Sequence, residues 1–161
     1  MDYLWSPWRY CYITGPKTEQ QCVFCAIAAS TEDEANLVVY RGKLNFLVLN
    51  RFPYSTGHLM IVPYAHVAAL VETGEETTSE MMLLMRRSEV LLEKVYHPGG
   101  LNMGMNLGAS AGAGVVGHLH MHVLPRWTGD ANFMTTVAET RVLPEELETT
   151  YKKLRIECAQ W

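Results

Sequence analysis

Hydrophobic spacing divides this chain into a small set of elements. Residues 77–96 form the strongest helix: Met81, Leu84, Met85, Ser88, Leu91, Leu92 and Val95 recur on one face, and Thr77 with Glu80 fits a capping box. Pro98-Gly99-Gly100 ends that run. Leu101, Met103, Met105 and Leu107 alternate with Asn102, Gly104 and Asn106, which is strand periodicity. Two apolar runs at residues 36–40 and 45–50 are separated by Arg41-Gly42-Lys43 and predict a hairpin. Residues 58–62 give a third strand ending at Pro63, and residues 118–125 a last one. A short helix is expected at residues 22–29. Another follows Pro144, with Leu147, Tyr151, Leu154 and Cys158 on one face.

This order predicts an α+β fold, an antiparallel sheet of about five strands with one long helix and a C-terminal helix. No repeat or long linker interrupts it, so a single domain over residues 1–161 is expected. Its parts are an N-terminal segment (1–35), a core (36–126) and a C-terminal extension and helix (127–161). The segment at residues 4–10 is aromatic but broken by Pro7, and reads as irregular.

Composition narrows the choice of partner. Of 161 residues 48% are hydrophobic, ample for a core, and the net charge of −4 offers no general attraction to nucleic acid or an anionic membrane. No apolar run approaches a membrane span and the N-terminus lacks a signal-peptide layout, so the expected address is the cytoplasm. Any phosphate must be bound by a local site, which points to a small ligand.

The candidate chemistry lies in Gly117-His118-Leu119-His120-Met121-His122-Val123-Leu124, where three of the six histidines alternate with apolar residues. In a regular strand all three imidazoles face one side, about 6.6–6.8 Å apart, while Leu119, Met121 and Val123 enter the core. Such a row can ligate a metal, or supply a nucleophile flanked by phosphate-binding rings. Upstream, the glycine- and alanine-rich stretch from Asn106 to Gly114 can present backbone N–H groups to an oxyanion, with Asn106 and Ser110 as side-chain donors. Cys22 and Cys25 are spaced as Cys-x-x-Cys. No surrounding βαβ pattern supports a redox role, whereas thiolates suit zinc. Cys11 and Cys158 look incidental, and His58 and His97 read as ordinary histidines.

These residues together resemble the histidine triad (HIT) superfamily of nucleotide hydrolases and transferases. The resemblance runs from about Gly42 to Arg126, through Leu47-Val48-Leu49-Asn50-Arg51, residues 57–63, the long helix, the glycine loop and the triad. Asn106-Leu107-Gly108 and residues 125–133 are similar to bacterial diadenosine tetraphosphate phosphorylases in particular. The resemblance implies that His120 is a nucleophile forming a nucleotidyl-histidine, and that His122 hydrogen-bonds the phosphate or the leaving oxygen. It also implies that Asn50 holds the ribose, that Asn106, Ser110, Gly112 and Gly114 contribute to nucleotide binding, and that phosphate is the acceptor. It further implies a homodimer and a structural zinc on Cys22, Cys25, His66 and His118. The family's phosphorylases tend to carry a Ser shortly before the triad, where this chain has Gly114-Val115-Val116-Gly117. Phe24, Ile27, Phe46 and Leu49 are candidates to hold the base. Trp127 and Phe133 are candidates to close over the site or to pack. Competing readings are a hydrolase or phosphoramidase using the same covalent step, a catalytic three-histidine zinc centre, and a nucleotide-binding adaptor without turnover.

Overall fold

The computed structural model describes residues 22–137 and 143–161, so the aromatic stretch at residues 4–10 and Cys11 lie outside it. Short helices α1 (Val23–Ala29) and α2 (Asp33–Asn36) precede β1 (Val38–Arg41), β2 (Asn45–Leu49) and β3 (Leu59–Pro63). The long helix α3 (Glu75–Tyr96) follows, then β4 (Gly100–Met105), β5 (Met121–Arg126), α4 (Phe133–Val137) and α5 (Leu147–Cys158). Single 3-10 turns occupy Leu70–Glu72 and Ala109–Ala111. The five strands form one antiparallel sheet in the order β1-β2-β3-β5-β4. The expected α+β fold is therefore found, with strand ends within three residues of those expected.

Register assigns the two faces of the sheet. Val38, Val48, Met60, His122 and Gly104 are successive cross-strand partners, so they share one face. Leu47, Ile61, Met121 and Met105 occupy the opposite face. Helices α3 and α5 pack against the sheet and bury most of the residues that the helical spacing predicts, with Met85, Val95 and Leu147 partly buried. Met81, Leu84, Ser88, Leu91 and Leu92 are buried on α3, and Tyr151, Leu154 and Cys158 on α5. They join Phe46, Leu47, Ile61 and Val123 in one core. The side chains Leu119, Met121 and Val123 enter the core as the alternation predicts.

Two expectations are corrected. Residues 36 and 37 are not strand: the Asn36 amide donates to the Glu32 carbonyl, and Leu37 closes the helical turn at φ 60°. Nor do Thr77 and Glu80 cap α3, which begins two residues earlier behind Gly74. The Glu80 carboxylate instead accepts the backbone N–H groups of Lys43, Leu44 and Asn45 at 2.7–2.8 Å and the Asn45 side-chain amide at 2.9 Å. Burial pulls this carboxyl upward, but the Asn45 amide and the three backbone donors outweigh it and hold its pKa below the usual range. Gly42 is needed for this approach, because a Cβ there would stand 2.9 Å from the Glu80 Oε1. A carboxylate on the long helix thus fixes the β1–β2 turn.

Glu80→Gln keeps the shape and places an amide donor against the same backbone donors. Its expected effect is a loss of about 1.5–3 kcal/mol in unfolding free energy, read from urea transitions at pH 7. The difference from wild type shrinks as pH falls below the ordinary carboxylate range, because a depressed carboxyl pKa contributes stability only above it. An unchanged midpoint would remove Glu80 from this role.

Candidate active site and metal centre

Strand pairing of β5 begins at Met121, so His118 and His120 lie just before it and the three rings do not form the even row expected of a strand. The chain is held there by the Leu119 N–H donating to the Val67 carbonyl at 2.7 Å. His118 turns toward Cys22, Cys25 and His66, while His120 and His122 face a cavity with ring centroids 4.9 Å apart. Phe24 of α1 separates the two environments, its ring 5.4 Å from His118 and 5.1 Å from His120.

Carbonyl oxygens settle where the protons lie, because a carbonyl only accepts. The His120 Nδ1 is 2.9 Å from the His118 carbonyl, so Nδ1 carries the hydrogen and Nε2 keeps its lone pair. His122 is set by a longer chain of donors. The Asn50 carbonyl oxygen accepts the Phe52 N–H at 3.0 Å, which orients the Asn50 amide nitrogen toward the His58 Nδ1 at 3.3 Å. The Tyr54 N–H also donates to that Nδ1, at 3.2 Å. His58 Nδ1 is therefore an acceptor and Nε2 its donor, aimed at His122 Nδ1 2.8 Å away. Neutral His122 then carries its hydrogen on Nε2. The two neighbouring imidazoles emerge with opposite tautomers, one keeping a ring lone pair on Nε2 and the other an Nε2–H donor.

Burial keeps both rings neutral. His120 is 5% exposed and His122 9%. Burial pushes the His120 pKa down against the His118 carbonyl, and pushes His122 down to about 4 with help from the neighbouring His120.

The cavity in front of these rings holds about 660 Å³, a volume in the range of small-ligand sites. Asn50, Gly112, Gly114, His120 and His122 line it, as do Phe24, Ile27 and Leu49 of the proposed base wall. Phe46 does not: it is fully buried on the face that Val48 shares, 5.4 Å from the Tyr64 ring. Asn106 and Ser110 also stand outside the lining. The Asn106 amide braces the glycine loop by donating to the Gly112 carbonyl at 3.5 Å, and Ser110 is exposed on the 3-10 turn. Trp127 packs edge-on to Tyr96 at 6.4 Å, and Phe133 is exposed; neither lines the cavity.

His58, fully buried, is the site residue that the sequence alone conceals. Period two puts it on the face of Met60, but only the pairing of Met60 with His122 brings it to the triad.

Cys22, Cys25, His66 and His118 offer ligand atoms that all lie within 4.8 Å of one another. The Cys22 Sγ is 3.3 Å from the His118 Nδ1, the Cys25 Sγ 3.2 Å from the His66 Nδ1 and 3.6 Å from the His118 Nδ1, and the two Nδ1 atoms are 3.3 Å apart. Zinc bonds of roughly 2.0–2.3 Å to nitrogen and sulfur give tetrahedral edges of about 3.3–3.8 Å, so the donor set fits that ion. His118 Nε2 donates to the Pro63 carbonyl at 2.9 Å, which leaves Nδ1 as the free ligand atom.

His122 sets a pH dependence. Its native pKa near 4 lies below the ordinary 6.5, so the unfolded chain takes up this proton first. Unfolding free energy is expected to fall as pH drops from about 6.5 toward 4. Urea midpoints of wild type and His122→Gln should converge over that window. A constant difference between them would contradict the buried neutral ring.

Comparison with known proteins identifies relatives of this chain. The HIT domain family model matches residues 31–129. The chain is 40% identical over 167 residues to the AP-4-A phosphorylase of Mycobacterium tuberculosis (strain CDC 1551 / Oshkosh), covering 99% of this chain and 86% of that protein. It is 30% identical over 93 residues to the bis(5'-nucleosyl)-tetraphosphatase [asymmetrical] of Schizosaccharomyces pombe, covering 58% of this chain and 50% of that protein. Among solved structures, a Zn-bound histidine triad family protein from Mycobacterium smegmatis matches with a TM-score of 0.70 at 30% identity, over 87% of this chain and 94% of that one. With a family match over most of its length and His118, His120 and His122 in place, the chain belongs to the HIT family.

Proposed function

We propose that this chain is a nucleotidyl transferase that cleaves dinucleoside polyphosphates through a covalent nucleotidyl-His120 intermediate, with inorganic phosphate as acceptor. The observation that carries this reading is the unprotonated Nε2 of His120, in a buried ring that lines the cavity. In the first step that lone pair bonds to the α-phosphorus of diadenosine tetraphosphate, and the bond from phosphorus to the bridging oxygen breaks, releasing ATP. The Nε2–H of His122 donates to the phosphoryl or departing oxygen, and Asn50 meets the ribose at the end of β2. In the second step a phosphate oxygen displaces His120 and ADP leaves. Gly112 and Gly114 line the cavity and offer it backbone rather than side-chain donors.

The 40% identity with a phosphorylase over nearly the whole chain supports phosphate as the acceptor. Water in its place gives AMP and ATP. In this reading zinc on Cys22, Cys25, His66 and His118 is structural, contributing bonds that hold α1 beside the strand, and it takes no part in the transfer. The protein works in the cytoplasm as a homodimer. Supporting a second copy, β4 is an edge strand of the sheet and α3 exposes Met82, Leu83 and Val90. No helix among the described residues is long and apolar enough to cross a membrane.

Incubation with diadenosine tetraphosphate should give ADP plus ATP only when phosphate is present; AMP plus ATP without it rejects the phosphorylase. His120→Gln should abolish turnover and the acid-labile nucleotide adduct seen by intact-protein mass spectrometry, while retaining zinc. His58→Phe removes the donor that fixes the His122 tautomer and should lower kcat by about 10–100-fold, a loss typical of groups that orient a functional histidine. Undiminished kcat in the His58 variant would remove His58 from the mechanism.

A further inference from the structure

Helix α1 carries two kinds of residue on two turns. Cys22 at its N-cap and Cys25 belong to the metal cluster, while Val23, Phe24, Ala26 and Ile27 line the nucleotide cavity. Seven residues are too few for a helix to be stable by itself, so its position depends on what holds its ends. At the C-terminal end the Arg41 guanidinium donates to the carbonyls of Ile27 at 3.2 Å, Ala28 at 3.3 Å and Ser30 at 2.7 Å. Arg41 is itself fixed by Asp33 at 2.8 Å. At the N-terminal end Cys22 makes no side-chain capping bond, and the thiols face His66 and His118.

We propose that α1 is an adjustable wall of the nucleoside cavity, seated at one end by a metal ion on Cys22, Cys25, His66 and His118 and at the other by Arg41, so that metal occupancy sets nucleotide affinity. This rests on the reading of the cavity as a nucleotide site. The reacting rings are held by other bonds. His118 keeps its hydrogen bond to the Pro63 carbonyl, the Leu119 N–H is tied to Val67, and β5 is paired on both sides. Loss of the metal therefore loosens Val23, Phe24 and Ile27 against the base and ribose while His120 and His122 stay in place. Arg41 is a positioning residue in this scheme, and its removal weakens binding without touching any metal ligand.

The test is calorimetric binding of AMP to zinc-loaded protein, to protein stripped by a chelator, to the stripped protein after reloading, and to Arg41→Met. Circular dichroism reports folding and metal analysis reports zinc content. The expected result is about tenfold or greater weakening on stripping, recovery on reloading, and a similar weakening in Arg41→Met at unchanged zinc content. In steady state with diadenosine tetraphosphate, KM rises in Arg41→Met and kcat stays within about threefold. Equal AMP affinity in loaded and stripped folded protein overturns the proposal, as does wild-type affinity in Arg41→Met. If the stripped protein unfolds, the Arg41→Met arm decides alone. Absence of AMP binding by loaded wild type overturns the nucleotide reading and this proposal together. Metal-dependent AMP binding without a covalent adduct upholds the proposal and rejects only the proposed chemistry.

Discussion

A single hydrogen bond, from the His120 Nδ1 to the His118 carbonyl at 2.9 Å, governs what this site can do. It removes the choice of tautomer from a buried ring and leaves the far nitrogen basic. Were that nitrogen protonated, the cavity would present two donors and no nucleophile. The neighbouring ring is fixed in the opposite sense, through Asn50, Tyr54 and His58 to His122. Neither assignment uses a carboxylate. Backbone groups and one amide supply the directionality, and burial keeps the rings uncharged.

The same short segment joins these rings to the cysteine and histidine cluster. His118 gives its carbonyl to His120, its Nε2–H to Pro63 and its Nδ1 to the cysteine cluster. One residue thus links the His120 ring, the adjacent strand and the helix that walls the cavity. Phe24 fills the space between, against both His118 and His120. The sheet makes this possible because Val48, Met60 and His122 share a cross-strand row, which turns the cavity floor and the His122 ring to the same side.

Much of the fold was legible in the sequence because periodicity and burial have the same cause. The face of α3 from Met81 to Leu92 is buried as its spacing predicts, and so are Tyr151, Leu154 and Cys158 on α5. The convergence of Cys22, Cys25, His66 and His118 was legible only in part, because the Cys-x-x-Cys spacing names two of the four and the resemblance supplied the two histidines. What escaped were features that depend on distant partners. Glu80 matches a local capping pattern, yet three backbone donors of the β1–β2 turn outbid that use. His58 looks ordinary until β3 and β5 are aligned. Regular alternation also suggested an even row of three imidazoles, whereas strand pairing starts only at Met121 and the first ring turns away to the cysteines. Ser110 was a reasonable donor by composition, but the 3-10 turn after Gly108 carries it outside the cavity lining.

Nitrogen-15 NMR of histidine-labelled, zinc-loaded protein at neutral pH reads the central assignment directly. His120 should show a protonated Nδ1 and an unprotonated Nε2, with His122 the reverse, each resonance identified by its absence in the corresponding glutamine variant. A His120 ring bearing its hydrogen on Nε2, or bonded through that nitrogen to the metal, would contradict the account.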